Sequence, residues 1–126
     1  MFSIDPMSRC PVYEQLIDQI ERYILTGILP PSSQLPSVRS LSFELSVNPN
    51  TIQKAYSDLD ARKIIFSVPG KGCFVSENAK ELLGEYRRKK LADLGNAVNE
   101  LKIAGIGREE IIEIIDTVYG ERSKNI

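Results

Sequence analysis

LPSVRSLSFELSVNPNTIQKAYSDLDARKIIFSVPGKGCFV, residues 35–75, decides the fold. Ser37 can cap a helix by accepting a first-turn N–H, and Val38, Leu41 and Leu45 follow at the three- and four-residue spacing of one helical face. Val47 closes a turn. Asn48 can cap a second helix, Pro49 falls at the first helical position, and Ile52, Ala55, Tyr56 and Leu59 continue a buried stripe. Helices joined by so short a turn cross steeply, so the second presents its N-terminal residues outward. Those residues are Asn48, Asn50, Thr51, Gln53, Lys54 and Ser57, a neutral-to-basic polar set that can donate to phosphate and hydrogen-bond base edges. Ile64 to Val68 and Cys73 to Val75 are β-rich runs around Pro69-Gly70-Lys71-Gly72, which predicts a hairpin with a basic tip.

Upstream, residues 1–10 read as an extended arm. Pro11 to Leu25 is an amphipathic helix on Val12, Leu16, Ile20 and Ile24, broadened by Tyr13, Ile17 and Tyr23, with Gly27 placed to end it. Pro30 and Pro31 make Ile28 to Ser33 a connector, and Gln34-Leu35 could pair with the hairpin as a very short strand. Downstream of Glu77 the chain turns helical. Leu82, Leu83 and Tyr86 start a stripe, Arg87-Arg88-Lys89-Lys90 interrupts it as a solvated face or a contact for DNA backbone, and Leu91, Leu94, Val98 and Leu101 resume it. Gly105 and Gly107 mark a break before a helix from Arg108 to Tyr119 with a broad apolar face. The expected architecture is mainly α: three helices and a β-hairpin wing over residues 1–76, then a two-helix hairpin within 77–126.

Charge and composition narrow the function. The 126 residues carry a net charge of −1, with seven Lys/Arg against seven Asp/Glu in residues 1–76 and nine against ten in 77–126. A nucleic-acid surface must therefore be a local patch, which Arg39, Lys54 and Lys71 could supply. Histidine is absent, and Cys10 and Cys73 are not spaced as a ligand pair, so His-ligated zinc and histidine-based catalysis are excluded. No metal, cofactor or catalytic site is expected. Cys73 is either a small half-apolar residue or a redox-sensitive thiol beside Lys71. The first residues lack the basic start and apolar core of a signal peptide, and no apolar run has membrane-spanning length, so the expected location is the cytoplasm.

Two C-terminal helices of this length cannot enclose a large ligand cavity, yet they carry more apolar surface than one hairpin can bury. Either they fold back on the first helix or a second copy covers them. Dimerisation through Leu91, Leu94, Val98, Leu101, Ile111, Ile112, Ile115 and Val118 is the expectation.

Four segments, Pro11-Val12-Tyr13-Glu14-Gln15, Leu35-Pro36-Ser37-Val38-Arg39, Val47-Asn48-Pro49-Asn50-Thr51 and Gly70-Lys71-Gly72-Cys73-Phe74-Val75, resemble in order and spacing the winged-helix domain of GntR-family bacterial transcription regulators. The Val-Asn-Pro-Asn-Thr variant and the short tail look most like the YtrA-type subfamily. Three positions depart from the family pattern: Lys63 and Ser32 stand where glycines are usual, and Phe66 where the first wing strand is usually polar or charged. The resemblance implies that Arg39 helps hold DNA and that Gly70-Lys71-Gly72 reaches toward the minor groove. It further implies a dimeric repressor bound to a double-stranded operator, often of a transporter operon. For Arg39 an ion pair with Glu44 or Glu14 is the competing role. The sequence names no small-molecule effector. A winged-helix protein-interaction module with a dimerising tail is the alternative, supported by the near-neutral charge.

Overall fold

The computed structural model describes residues 2–120, which fall into two compact units that divide after Tyr86. The first contains helices α1 (Val12–Leu25), α2 (Val38–Leu45) and α3 (Pro49–Ala61), strands β1 (Ile65–Val68) and β2 (Gly72–Val75), and most of α4 (Ala79–Arg88). The second contains α5 (Lys90–Ile103) and α6 (Arg108–Tyr119). The mainly α architecture, with a winged helix followed by a C-terminal helical pair, is the one the residue pattern predicts.

One core serves the first unit. Leu16, Ile20 and Ile24 of α1, Leu41 of α2, and Ile52, Ala55, Tyr56 and Leu59 of α3 are buried together. Each helix contributes the stripe that its periodicity dictates, and the partly buried Val38, Leu45 and Val47 seal the edge. Ser37 accepts from the Ser40 amide at 3.0 Å, and Asn48 Oδ1 accepts from the Asn50 amide at 2.8 Å, so both expected N-caps form.

The wing is a two-stranded antiparallel hairpin in the register Ile65↔Val75, Phe66↔Phe74, Ser67↔Cys73, Val68↔Gly72. Its turn closes through Lys71 N–H on the Val68 carbonyl at 2.9 Å, with Pro69 leading and Gly70 at φ +78°. Gln34 bridges Phe74, and the Leu35 amide bonds the Cys73 carbonyl, which gives the anticipated third-strand pairing. Phe66, unusual in the first strand, stacks on its cross-strand partner Phe74 with ring centroids 5.8 Å apart.

Two expectations are corrected. Residues 1–10 are not an extended arm. Phe2 is buried against Tyr23, ring centroids 5.3 Å apart, and the backbone turns at Asp5 to Ser8. Gln19 bonds both the amide and the carbonyl of Ser3, and Gln15 does the same for Asp5. An aromatic ring two residues from the start has enough apolar area to draw its neighbours in, provided their peptide groups find partners; two glutamines one turn apart supply them. The second correction concerns the boundary at residue 76. Ala79 and Leu83 belong to the first unit's core, and the Arg62 guanidinium lies 5.0 Å from the Tyr86 ring, so the unit continues to Tyr86. The helix expected downstream of Glu77 is accordingly two helices, with α4 ending at Arg88 and α5 starting at Lys90.

Both departures from glycine fall in left-handed backbone. Ser32 has φ 67° and Lys63 φ 64°. At Lys63 the conformation ends α3: its amide bonds the Asp60 carbonyl and the Ile64 amide bonds the Leu59 carbonyl, both at 2.9 Å. A side chain there costs about 1–2 kcal/mol relative to a right-handed position. Part of that is offset by the greater unfolded-state freedom of glycine. Lys63→Gly is therefore expected to stabilise the chain by about 0.5–1 kcal/mol in urea unfolding, with the slope unchanged.

Candidate nucleic-acid interface

The outward face of α3 is defined by what its inward face does. With Ile52, Ala55, Tyr56 and Leu59 in the core, Asn50, Gln53, Lys54 and Ser57 are exposed and Thr51 is half-buried. Tyr56 also fixes the helix laterally, donating from its hydroxyl to the Pro36 carbonyl at 2.7 Å. Burial pushes the Tyr56 pKa far upward, so this donor keeps its proton. The bond ties α3 to the residue just before the α2 cap, and hence to the turn of helix that carries Arg39.

The α2–α3 turn depends on Ser46, at φ 55°, whose amide bonds the Phe43 carbonyl while the Val47 amide bonds that of Ser42. Beyond it, the α3 N-terminus is closed from within. Pro49 has no N–H, the Asn50 amide goes to Asn48 Oδ1, and the Thr51 amide goes to the Asn48 carbonyl at 2.9 Å. The Asn50 and Thr51 amides are thus already bonded within the chain. The polar capacity of this end resides in side chains: the Asn48 amide nitrogen, Asn50 and Thr51.

One turn on, Gln53 Nε2 donates to Ser57 Oγ at 3.1 Å, which holds the pair together and leaves Gln53 Oε1 as an outward acceptor. Lys54 is exposed, with Nζ 3.9 Å from the centroid of the Tyr13 ring on α1. Arg39 is exposed and makes no ion pair among the described residues, neither with Glu44 nor with Glu14. Lys71 stands exposed at the wing tip between Gly70 and Gly72. Gln34 Nε2 donates to its carbonyl at 2.8 Å, and a Cβ on Gly72 would come within 2.8 Å of that same nitrogen. Glycine is required there for the connector to brace the tip.

A part-buried ion-pair chain holds the α1–α3 angle. Arg62 Nη2 meets Glu21 Oε2 at 2.7 Å, and its Nε meets Asp58 Oδ1 at 2.9 Å. Burial alone would lower the arginine's pKa; the two carboxylates outweigh it, and the net direction is upward. Two acidic residues of this face are thereby engaged by one cation.

Neither cysteine forms a disulfide among the described residues. Partial desolvation and the Glu14 carboxylate raise the Cys10 thiol above its usual range, which suppresses thiolate. Cys73 is half-buried, its sulfur 3.4 Å from Ser67 Oγ.

Two residues of this face were not assigned to it from the sequence. Phe43 is 88% exposed on α2, and its position two residues after Leu41, on the opposite side of the helix, would have signalled this. Tyr13 lies forty-one residues before Lys54, and only the packing of α1 on α3 brings them together. In the second unit, the predicted contact residues lie on an open apolar surface. Val98 and Ile111 are half-buried, and Leu91, Leu94, Leu101, Ile112, Ile115 and Val118 are exposed. A cleft of about 480 Å³ lined by Val98, Lys102, Ile106, Ile111, Ile112 and Ile115 is included in it.

The family model "Bacterial regulatory proteins, gntR family" matches residues 12–75. The HTH-type transcriptional repressor YtrA of Bacillus subtilis is 39% identical over 122 residues, covering 96% of this chain and 94% of the repressor. Among solved structures, a GntR family transcriptional regulator from Listeria monocytogenes superposes with a TM-score of 0.72 at 34% identity, over 90% of this chain and 98% of that one. The DNA-binding domain of AraR in complex with operator ORX1 matches 60% of this chain and all of that one, with a TM-score of 0.53 at 29% identity.

Proposed function

This chain belongs to the gntR family of bacterial regulatory proteins, and from that premise we propose that it acts as a homodimeric, sequence-specific repressor that binds an operator in the cytoplasm and catalyses no reaction. The observation that carries the reading is the division of α3 into a buried apolar stripe and an outward polar face, with two further exposed cations, Arg39 and Lys71, on other elements of the same unit. On a chain of net charge −1, this local grouping gives phosphates a place to dock. Gln53, Asn50 and Ser57 then face base edges, while Asn48, Thr51 and Lys54 border the backbone. Gly70 and Gly72 let the tip carry Lys71 close to the sugar–phosphate wall. No helix among the described residues is long and apolar enough to cross a membrane.

The second unit supports the dimer. Leu94 is 51% exposed and Ile115 43%, on helices of 14 and 12 residues whose apolar positions outnumber what the pair itself covers. A second copy offers the same surface and closes it by two-fold symmetry. One observation favours the rival reading of a protein-binding module: Phe43 is a large exposed ring beside Arg39. A gel shift with the DNA upstream of the chain's own coding region separates the two readings.

Arg39→Ala and Lys71→Ala are expected to weaken binding to operator and scrambled duplex alike and to flatten the log–log salt slope by about one unit each. Gln53→Ala is expected to cost roughly 1–3 kcal/mol on the operator alone, with little change in slope. Titration of both duplexes at several salt concentrations checks this, and equal losses on both duplexes for Gln53→Ala would remove it from sequence reading. Leu94→Asp combined with Ile115→Asp is expected to yield a monomer in sedimentation, since each places a charge in an apolar contact. It should also lose operator affinity out of proportion to one half-site, because the second half-site no longer binds intramolecularly.

A further inference from the structure

Lys54 sits near carboxylates and is paired with none of them. Asp58 is one helical turn along α3, the spacing at which a lysine and an aspartate ordinarily meet. Arg62 occupies that aspartate at 2.9 Å instead. Glu14 adjoins Tyr13 and is engaged as well: its Oε1 accepts from the Tyr13 hydroxyl at 3.2 Å, and its Oε2 lies 3.7 Å from the Cys10 thiol. The ammonium rests 3.9 Å from the centre of the neutral Tyr13 ring. The distinction matters for a protein that meets polyphosphate. A cation in an ion pair is locally neutralised and must break that pair before it can displace counterions, whereas a cation over an aromatic face keeps its full net charge.

We infer that Tyr13 is a positioning residue for DNA binding: its ring holds Lys54 at the α1 edge of the recognition helix, charged and unpaired, for a backbone phosphate. This rests on the DNA-binding reading above. Its hydroxyl bond to Glu14 orients the ring and keeps that acid away from the lysine. Arg62 does the same for Asp58, so the Glu21–Arg62–Asp58 chain serves the interface as well as the core. The hydrogen bond to Glu14, then that acid's charge, partial desolvation and the charge of Asp58 raise the Tyr13 pKa, so the phenol stays protonated as a donor at neutral pH.

The test is a double-mutant cycle on the full chain, read as affinity and salt slope on a duplex from its own upstream region and on a scrambled duplex. Lys54→Ala is expected to lower affinity about three- to tenfold on both duplexes and to flatten the slope by about one unit. Tyr13→Leu, which removes the ring and lets Lys54 collapse onto Asp58 or Glu14, should lose most of the same affinity and slope. The double variant should bind no worse than Lys54→Ala alone. Tyr13→Phe keeps the ring but releases Glu14, so it should retain more of the affinity and slope than Tyr13→Leu and less than the wild type. Multiplicative losses in the double variant, or a wild-type slope in Tyr13→Leu, overturn the inference. If Lys54→Ala has no effect while Arg39→Ala and Lys71→Ala still flatten the slope, Lys54 is no phosphate contact; the inference fails and the DNA-binding reading stands. If all three leave binding untouched, the DNA-binding reading itself fails. Should Tyr13→Leu not fold, proton NMR of the wild-type chain decides: the Lys54 ε-methylene protons are expected upfield of ordinary lysine values by the ring current, and unshifted protons overturn the inference.

Discussion

The burial of one side of α3 is the constraint on which the rest depends. Ile52, Ala55, Tyr56 and Leu59 are each almost wholly excluded from solvent. Fully burying a large apolar side chain contributes about 1.5–3 kcal/mol, so rotating this helix about its axis would forfeit several such terms at once. The helix therefore has one orientation, and Asn50, Gln53, Lys54 and Ser57 have no choice but to face out. The Tyr56 bond to the Pro36 carbonyl and the Arg62 bond to Glu21 then tie the helix to the residue before the α2 cap and to α1. Arg39 takes its place from the first of these contacts and Lys54 from the second. The wing is braced separately, by Gln34 on the Lys71 carbonyl, so the third cation has its own anchor.

The same logic explains how a chain without net positive charge can present a cationic face. Acidic side chains are not missing from the α1–α3 edge; those closest to Lys54 in the fold are engaged. Arg62 takes Glu21 and Asp58, and Tyr13 and Cys10 contact Glu14. Exposed ion pairs add little stability by themselves. Here their effect is on which cations remain uncompensated, which governs counterion release on a duplex.

The helices, their caps and the wing were legible because each rests on local chemistry: a hydroxyl at Ser37, an amide at Asn48, proline at 49, a three–four apolar stripe, and Pro69-Gly70 at a turn. Ser32 and Lys63 stood out only against a family pattern, and their left-handed φ values explain why glycine is usual there. What was not legible depends on contacts between distant residues. Nothing local says that Phe2 enters the core, since its burial requires Tyr23 and two glutamines on a helix that begins ten residues later. Ala79 and Leu83 join the first unit for the same reason, and this moves its boundary to Tyr86. On α3, Asn48, Asn50, Gln53, Lys54 and Ser57 are exposed as their spacing indicates and Thr51 is half-buried, and the pairing of Lys54 with Tyr13 was not legible.

Hydroxyl-radical footprinting of the wild-type chain on the DNA upstream of its own coding region tests the central claim most directly. A dimer with one outward recognition helix per copy predicts two protected patches related by two-fold symmetry, with centres about 10 base pairs or a multiple of that apart. The protection should persist in the presence of excess scrambled duplex. Uniform protection that scrambled DNA abolishes, or no protection at all, would contradict the account.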